Sequence, residues 1–270
     1  VPGPTPRLLP LRLRHLDGGW TVIDERWRYN LRSPHWRLYR NRDAGAWIEH
    51  PGGRFRLDPG RLVWLPPWGD FRSGCSGRVR HLFLHAEILG IEGGWDDGLL
   101  SLPQPVADDA ALAALADRCE GADAALWADA LLHTACAAWI AGLPPAQRAA
   151  LDDRLDGPDP IAPALRLVED HLDGPLPVGA LARACGLSED SLGRVMRRRL
   201  GMTPAAWIRR RRTARAAELL SATGEPVEAI AARCGFANRH HFTRVFTAVM
   251  GCPPAAHRRT ARAWLPAART

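Results

Sequence analysis

Over the first hundred residues apolar and polar positions alternate in short runs, as at 46–50 (AWIEH), 54–57 (RFRL), 61–66 (RLVWLP) and 79–88 (VRHLFLHAEI). A period of two places apolar side chains on one face of a strand and polar ones on the other. Turns separate the runs: in Asp58-Pro59-Gly60 and Pro51-Gly52-Gly53 the proline fixes φ and the glycine permits φ > 0. Many short strands at this spacing predict a barrel or sandwich. From Asp108 the period lengthens to that of an alanine-rich helix, first to about Cys119 and again from Asp123 to about Ile140, where Trp127, Leu131, Ala135 and Ala138 share a face. That face either packs on the barrel or meets its copy in a homodimer.

Residues 142–160 collect prolines, glycines and acids, the composition of a linker with room for one short helix. The expected division is a strand-rich domain at 1–141, a linker at 142–159, a helical domain at 160–262 and a tail at 263–270. In the helical part Ile161, Leu165, Val168 and Leu172 mark an amphipathic helix, and beyond it a pattern recurs. The first copy, 181–204, reads LARACGLSEDSLGRVMRRRLGMTP; the second, 230–254, reads IAARCGFANRHHFTRVFTAVMGCPP with one extra residue in its turn. Leu181 corresponds to Ile230, Cys185 to Cys234, Gly186 to Gly235, Leu192 to Phe242, Val195 to Val245 and Gly201 to Gly251.

Each copy has a physical reading. A short helix ends at a glycine that permits a left-handed turn, Ser188 or Asn238 caps the next helix, and that helix turns Leu192, Val195 and Met196, or Phe242, Val245 and Phe246, inward. Its outward face carries Asp190, Gly193, Arg194 and Arg197 in the first copy, and Arg239, His240, Thr243 and Arg244 in the second. The pattern is a helix-turn-helix, expected at 178–200 and again at 227–250. An outward helix so furnished fits a major groove, where arginine pairs bidentately with guanine. Thr203 and Pro204 start a joining helix to about Ser221, roughly 27 Å long at 1.5 Å per residue. That length sets two recognition helices about one DNA turn apart, so double-stranded DNA read in two adjacent major grooves is the expected partner.

Charge supports this placement. Residues 158–270 hold 18 arginines against 9 acidic residues, whereas 1–157 hold 18 against 20, so the positive excess lies in the helical half, where counterion release favours a polyanion. The composition, 46% hydrophobic and 24% charged, is that of a globular protein. No stretch approaches the roughly 20 apolar residues of a membrane span. The opening VPGPTPRLLPLRLRH is broken by proline and arginine and does not read as a signal peptide. A cytoplasmic, nucleoid-associated protein with no membrane partner is expected. Six cysteines without C-x-x-C spacing read as reduced thiols.

Residues 161–262 resemble the DNA-binding domain of the AraC/XylS family, through both repeats, Pro204 and Trp207 at the start of the joining helix, Arg212, the Gly235-Phe236 turn and the segment from Pro254 to Arg258. The resemblance implies a seven-helix domain and transcriptional control, most often activation through RNA polymerase. It places groove contacts on Asp190, Gly193 and Arg194, and on Arg239, His240, Thr243 and Arg244. The chain departs from the family at Pro177, where a capping Ser or Thr is usual, and Gly179 falls inside the first turns. Gly193 offers no side chain to a base, so the first copy is expected to be the weaker reader. By family position Arg212 is a structural ion-pair arginine, and His257 replaces an aromatic and is expected to pack.

Residues 20–90 resemble, less closely, the cupin-like barrel of the same family, chiefly through 53–67 (GRFRLDPGRLVWLPP). The fold class expected is therefore α+β, with an N-terminal cupin-like β-barrel carrying helices and a C-terminal all-α double helix-turn-helix. A barrel of this size holds one small-molecule effector in its mouth. Trp27, Trp36 and Trp47 would give a carbohydrate a stacking face, with Arg37 and His50 as polar partners; the alternative is that the tryptophans fill the core. His81, His85 and Glu87 alternate on one strand and invite a metal reading. The His-x-His spacing of enzymatic cupins is missing, as are G-x-S-x-G, P-loop and H-E-x-x-H motifs. No metal, cofactor or enzymatic activity is expected; the alternative is a metal-dependent cupin enzyme tethered to DNA by its basic domain.

Overall fold

The computed structural model describes residues 12–29, 32–89, 102–106, 109–155 and 160–264. Most of the N-terminal stretch read for a signal peptide, and of the 263–270 tail, lies outside the described residues. Among the described residues eight strands, β1 (Arg12–Ile23), β2 (Trp36–Asn41), β3 (Ala46–His50), β4 (Gly53–Arg56), β5 (Leu62–Leu65), β6 (Arg72–Cys75), β7 (Val79–Leu89) and β8 (Gln104–Pro105), form two antiparallel sheets, ordered β1-β7-β2-β5-β8 and β4-β3-β6. Between the sheets lies a core that includes Ile23, Trp27, Tyr39, Ile48, Leu65, Phe71 and Val79. The protein is α+β, and the paired sheets make its cupin-like barrel.

Two helices, α1 (Ala110–Asp117) and α2 (Ala124–Ala141), cover the opposite face of the five-stranded sheet. There Trp36, Leu38, Trp64 and Leu84 are buried in one cluster with Leu131, Leu132, Ala135 and Trp139. Strands β2 and β5 are thus covered on both sides, and their residues are almost all buried. By length and composition alone α2 could cross a membrane. Its apolar face is instead occupied by the sheet and α1, the first of the two alternatives read from its pattern. The helix α3 (Pro145–Leu155) fills the stretch expected to be a linker, and its Leu151 enters the same core.

Among the described residues seven helices follow: α4 (Ala162–Asp170), α5 (Val178–Ala184), α6 (Glu189–Leu200), α7 (Pro204–Ala222), α8 (Val227–Arg233), α9 (Arg239–Met250) and α10 (Pro254–Trp264). They make two cores. The first joins α4, α5 and α6 to the beginning of α7 at Trp207 and Ile208; the second joins the end of α7, from Ala216 to Leu220, to α8 and α9. One continuous helix therefore carries both motifs. Gly235, at φ +73°, is required twice over, because a Cβ there would also sit 2.5 Å from the Leu172 carbonyl oxygen. Arg212 crosses the same point and donates to the carbonyls of Leu172 (2.9 Å), Gly235 (2.8 Å) and Gly174 (2.5 Å). It is structural as expected, but its partners are carbonyls, not a carboxylate.

The barrel docks on α7. Trp68, at φ +66°, packs against the core of the second motif, and the Arg210 guanidinium lies 4.1 Å from its ring centre. Arg211 donates to Glu169 at 2.5 Å and reaches Glu87 of β7 at 3.4 Å. Glu87 also accepts from Arg14 at 2.8 Å.

Candidate DNA-reading surface and ligand cavity

The local chemistry of each recognition helix explains its presentation. Ser188 accepts from the Ser191 amide and caps α6, and Asn238 accepts from the His241 amide at 2.8 Å and caps α9. Leu192 and Met196, or Phe242 and Phe246, are fully buried, which fixes the rotation of each helix about its axis. On α9 this leaves Arg239, His240 and Arg244 exposed and Thr243 half-buried, together lining an open surface groove with Asn238 and Thr247. On α6 it leaves Asp190, Arg194 and Arg197 exposed. There the Arg194 guanidinium folds back onto Ser191 Oγ at 3.2 Å, and Gly193 is buried, with Arg197 Nη1 3.7 Å from where its Cβ would be. Gly193 is thus not an open groove position; Arg197 lies over it. A Cβ at Gly179 would lie 2.7 Å from the Glu189 carboxylate, the far end of an exposed, flexible side chain that can turn aside. Prolines start the first helix of both motifs, Pro177 before α5 and Pro226 before α8, and neither supplies a side-chain cap.

At the mouth of the barrel, between the five-stranded sheet and α7, is a cavity of about 500 Å³. Its walls are mainly apolar: Ile23, Trp27, Tyr39 and Phe83 from the barrel, Ala217, Leu219 and Ala222 from α7. Polar groups gather at the end where Arg37 of β2, His85 of β7 and Asp17 of β1 lie side by side across three neighbouring strands. Asp17 is held by His85 at 2.7 Å. Burial raises the Asp17 carboxyl, but the charge and hydrogen bond of His85 outweigh it and the net shift is down. Burial pushes the Arg37 guanidinium and, more strongly, the His35 imidazole below their usual ranges. At the other end His81 Nδ1 meets Asn41 Oδ1 at 2.7 Å, and burial, helped by the charge of His85, takes its imidazole down to about 3. His257 of α10 joins the α7 wall; its ring packs edge-on against Phe246, and burial lowers it to about 4.

Of the residues expected to hold an effector, the structure brings Trp27 and Arg37 to this cavity and leaves three elsewhere. Trp36 is next to Arg37 on β2 and so faces the opposite side, against Trp64 and Trp139 of α2. Trp47 lies outside the cavity under the Arg54 guanidinium, 4.5 Å away, and His50 accepts from the Gly52 amide in the β3–β4 turn. Asp17, His35 and Tyr39 were not foreseen. The alternation read on β7 does put His81 and His85 on the cavity wall, but their partners diverge: Asn41 for His81, Asp17 for His85, and Arg14 and Arg211 for Glu87. No common centre is formed by the three. His35, Glu87 and Glu218 do bring possible ligand atoms within 4.8 Å of one another, but Glu87 is engaged by two arginines and Glu218 by Arg215 at 2.8 Å.

The fold and the two exposed helices of the second half define a protein with a paired helix-turn-helix DNA-binding module. A family model described as a helix-turn-helix domain matches residues 181–260. The transcriptional activator RhaR of Mannheimia succiniciproducens is 36% identical over 72 residues, 27% of this chain and 26% of that protein. The activator RhaS of Escherichia fergusonii is 35% identical over 75 residues, 28% of this chain and 27% of that protein. The chain spans about a quarter of the length of these curated relatives. Over almost the whole chain the fold is that of ToxT from Vibrio cholerae O395, with a TM-score of 0.57, 11% identity and coverage of 93% of this chain and 98% of that one. ToxT bound to an unsaturated fatty acid matches equally, at 0.57 and 11%, over 92% of this chain and 94% of that one. Residues 181–260 thus carry a helix-turn-helix domain similar to those of the transcriptional activators RhaR and RhaS.

Proposed function

We propose that this protein is a sequence-specific DNA-binding regulator, an activator working through RNA polymerase in the cytoplasm, whose grip on its operator responds to a small molecule in the barrel-mouth cavity. The observation that carries the reading is α7 itself. One helix bears both motifs on its two ends and walls the cavity with its last turns. A molecule bound there touches the element that sets the spacing of the recognition helices. Both motifs lie in one chain, so two successive grooves can be read without a second copy. The two relatives named as activators support the direction of regulation. The ToxT–fatty acid structure supports the idea that this fold admits a small organic molecule.

The contacts assigned to bases are Arg239, His240, Thr243 and Arg244 on α9, and Arg194 on α6, with Asp190 at its start and Arg197 nearer the phosphates. Fluorescence-anisotropy titration of the full chain against the promoter beside its own gene tests the reading. Binding should exceed that to random duplex at physiological salt and weaken steeply as salt rises, by roughly 10³-fold or more from 50 to 200 mM if six or more phosphates are contacted. Equal affinity for promoter and random duplex would remove the specific-regulator reading.

A further inference from the structure

A glycine would sit at position 68 without strain, yet the chain has a tryptophan there. At φ +66° Trp68 is, among the described residues, the one non-glycine in the left-handed region, which a bulky side chain occupies only when its surroundings hold it there. The turn is held on both sides. The Trp68 amide donates to the Ser33 carbonyl at 2.7 Å, and Gly69 passes so close to the buried Phe71 ring that a Cβ would lie 2.0 Å from it. The indole joins neither core of the barrel. It packs against the core that the end of α7 makes with α8 and α9, and the Arg210 guanidinium lies 4.1 Å from its centre.

Arg211, the next residue of α7, reaches Glu87 of β7 at 3.4 Å and gives the barrel a second hold on the helix. Successive helical residues point about 100° apart, since a turn takes 3.6 of them. One hold leaves α7 free to turn about its axis; two at that angle fix it. The holds differ in what else they touch. Arg211 is shared with Glu169 of α4, a helix of the first motif's core, whereas Trp68 adds apolar surface to the second motif's core. That core contains Phe242 and Phe246, the residues that set the rotation of α9, so its packing is in part supplied by the barrel.

We infer that Trp68 is a positioning residue for the second reader: a barrel side chain that packs behind α9 and, with Arg210, holds the groove-facing residues of that helix in register with the DNA. The inference rests on the assignment of α9 as the base reader. It extends the DNA-reading unit beyond residues 181–260, the stretch matched by the helix-turn-helix family, into a turn of the barrel.

Anisotropy titration of the full chain tests this on two duplexes, the promoter and the same promoter with one half-site scrambled, the half whose base preference Arg244→Ala relaxes. Trp68→Gly removes the ring and leaves the turn a residue that suits its backbone. On the promoter it should weaken binding by a factor of roughly 10, the combined worth of the ring's packing and of the cation beside it. On the scrambled duplex it should bind as the parent does. Trp68→Phe, which keeps an aromatic ring, should recover most of the loss. Arg210→Gln, which leaves the indole in place, should show the same pattern at roughly 2- to 5-fold, and it carries the test if Trp68→Gly does not fold. An equal loss on both duplexes would mark the tryptophan as structural only and overturn the inference. So would an undiminished affinity for the promoter, or a phenylalanine variant no better than the glycine one. Failure of the underlying reading shows in the parent chain: equal affinity for promoter and random duplex removes specific regulation, and this inference with it, before any variant is compared.

Discussion

Two arginines at matching positions of the repeat, Arg194 and Arg244, meet different surroundings. Arg244 is exposed in the groove along α9, while Arg194 is turned back onto Ser191. Replacing Arg244 by alanine should relax base preference in one half-site at a cost of about 1–3 kcal/mol, read by competition with base-substituted duplexes. At the same scale His257 gives a pH dependence with a definite sign. Burial holds its imidazole at about 4, below the roughly 6.5 of an unfolded chain. The unfolded state takes up the proton first, so this contribution is intact above about pH 6.5 and is lost as pH falls toward 4. At pH 5 the loss is about 2 kcal/mol at 1.36 kcal/mol per unit. Urea denaturation at pH 7 and pH 5 should show it, and His257→Phe, which keeps a ring against Phe246, should remove that part of the acid sensitivity.

At the scale of elements the two motif turns look alike in sequence and differ in structure. Gly186 and Gly235 both have positive φ, but a Cβ at Gly186 meets nothing within 4 Å, whereas at Gly235 it meets the Leu172 carbonyl and Arg212. Gly186→Ala should cost about 1–2 kcal/mol, the strain of a left-handed alanine. Gly235→Ala should cost more, because Arg212 must release its carbonyls, and the difference is measurable by chemical denaturation. These helices were legible in the sequence because their determinants are local: caps at Ser188, Asn238 and Thr203, glycine stops, and an apolar stripe at 3.6 spacing. The barrel's strands were legible from alternation, but alternation leaves open which face of a strand meets the other sheet and which meets α2. Neighbours such as Trp36 and Arg37 were both assigned to the ligand, and a strand can give only one of them to a given face. The α7 wall and the tie between Arg211 and Glu87 join segments 124 residues apart, and no local pattern encodes such a contact.

At the scale of the molecule, the barrel, the cavity and both motifs meet on α7. The barrel is fastened near the middle of this helix by Arg210 over Trp68 and by Arg211 on Glu87, and the cavity lies against its last turns. The first motif's core holds the start of the helix and the second motif's core holds its end. The readers it carries are unequal, one with four side chains along an open groove, the other with one guanidinium folded down and a glycine beneath another. Selection of duplexes from a random pool by the full chain, repeated with Arg244→Ala, tests this most directly. The account predicts a two-part operator whose halves lie about one helical turn apart. One half should be strongly constrained and lose its preference in the variant, the other weakly constrained and unchanged. Two equally constrained halves, or a variant that selects the same sequences as the parent, would contradict it.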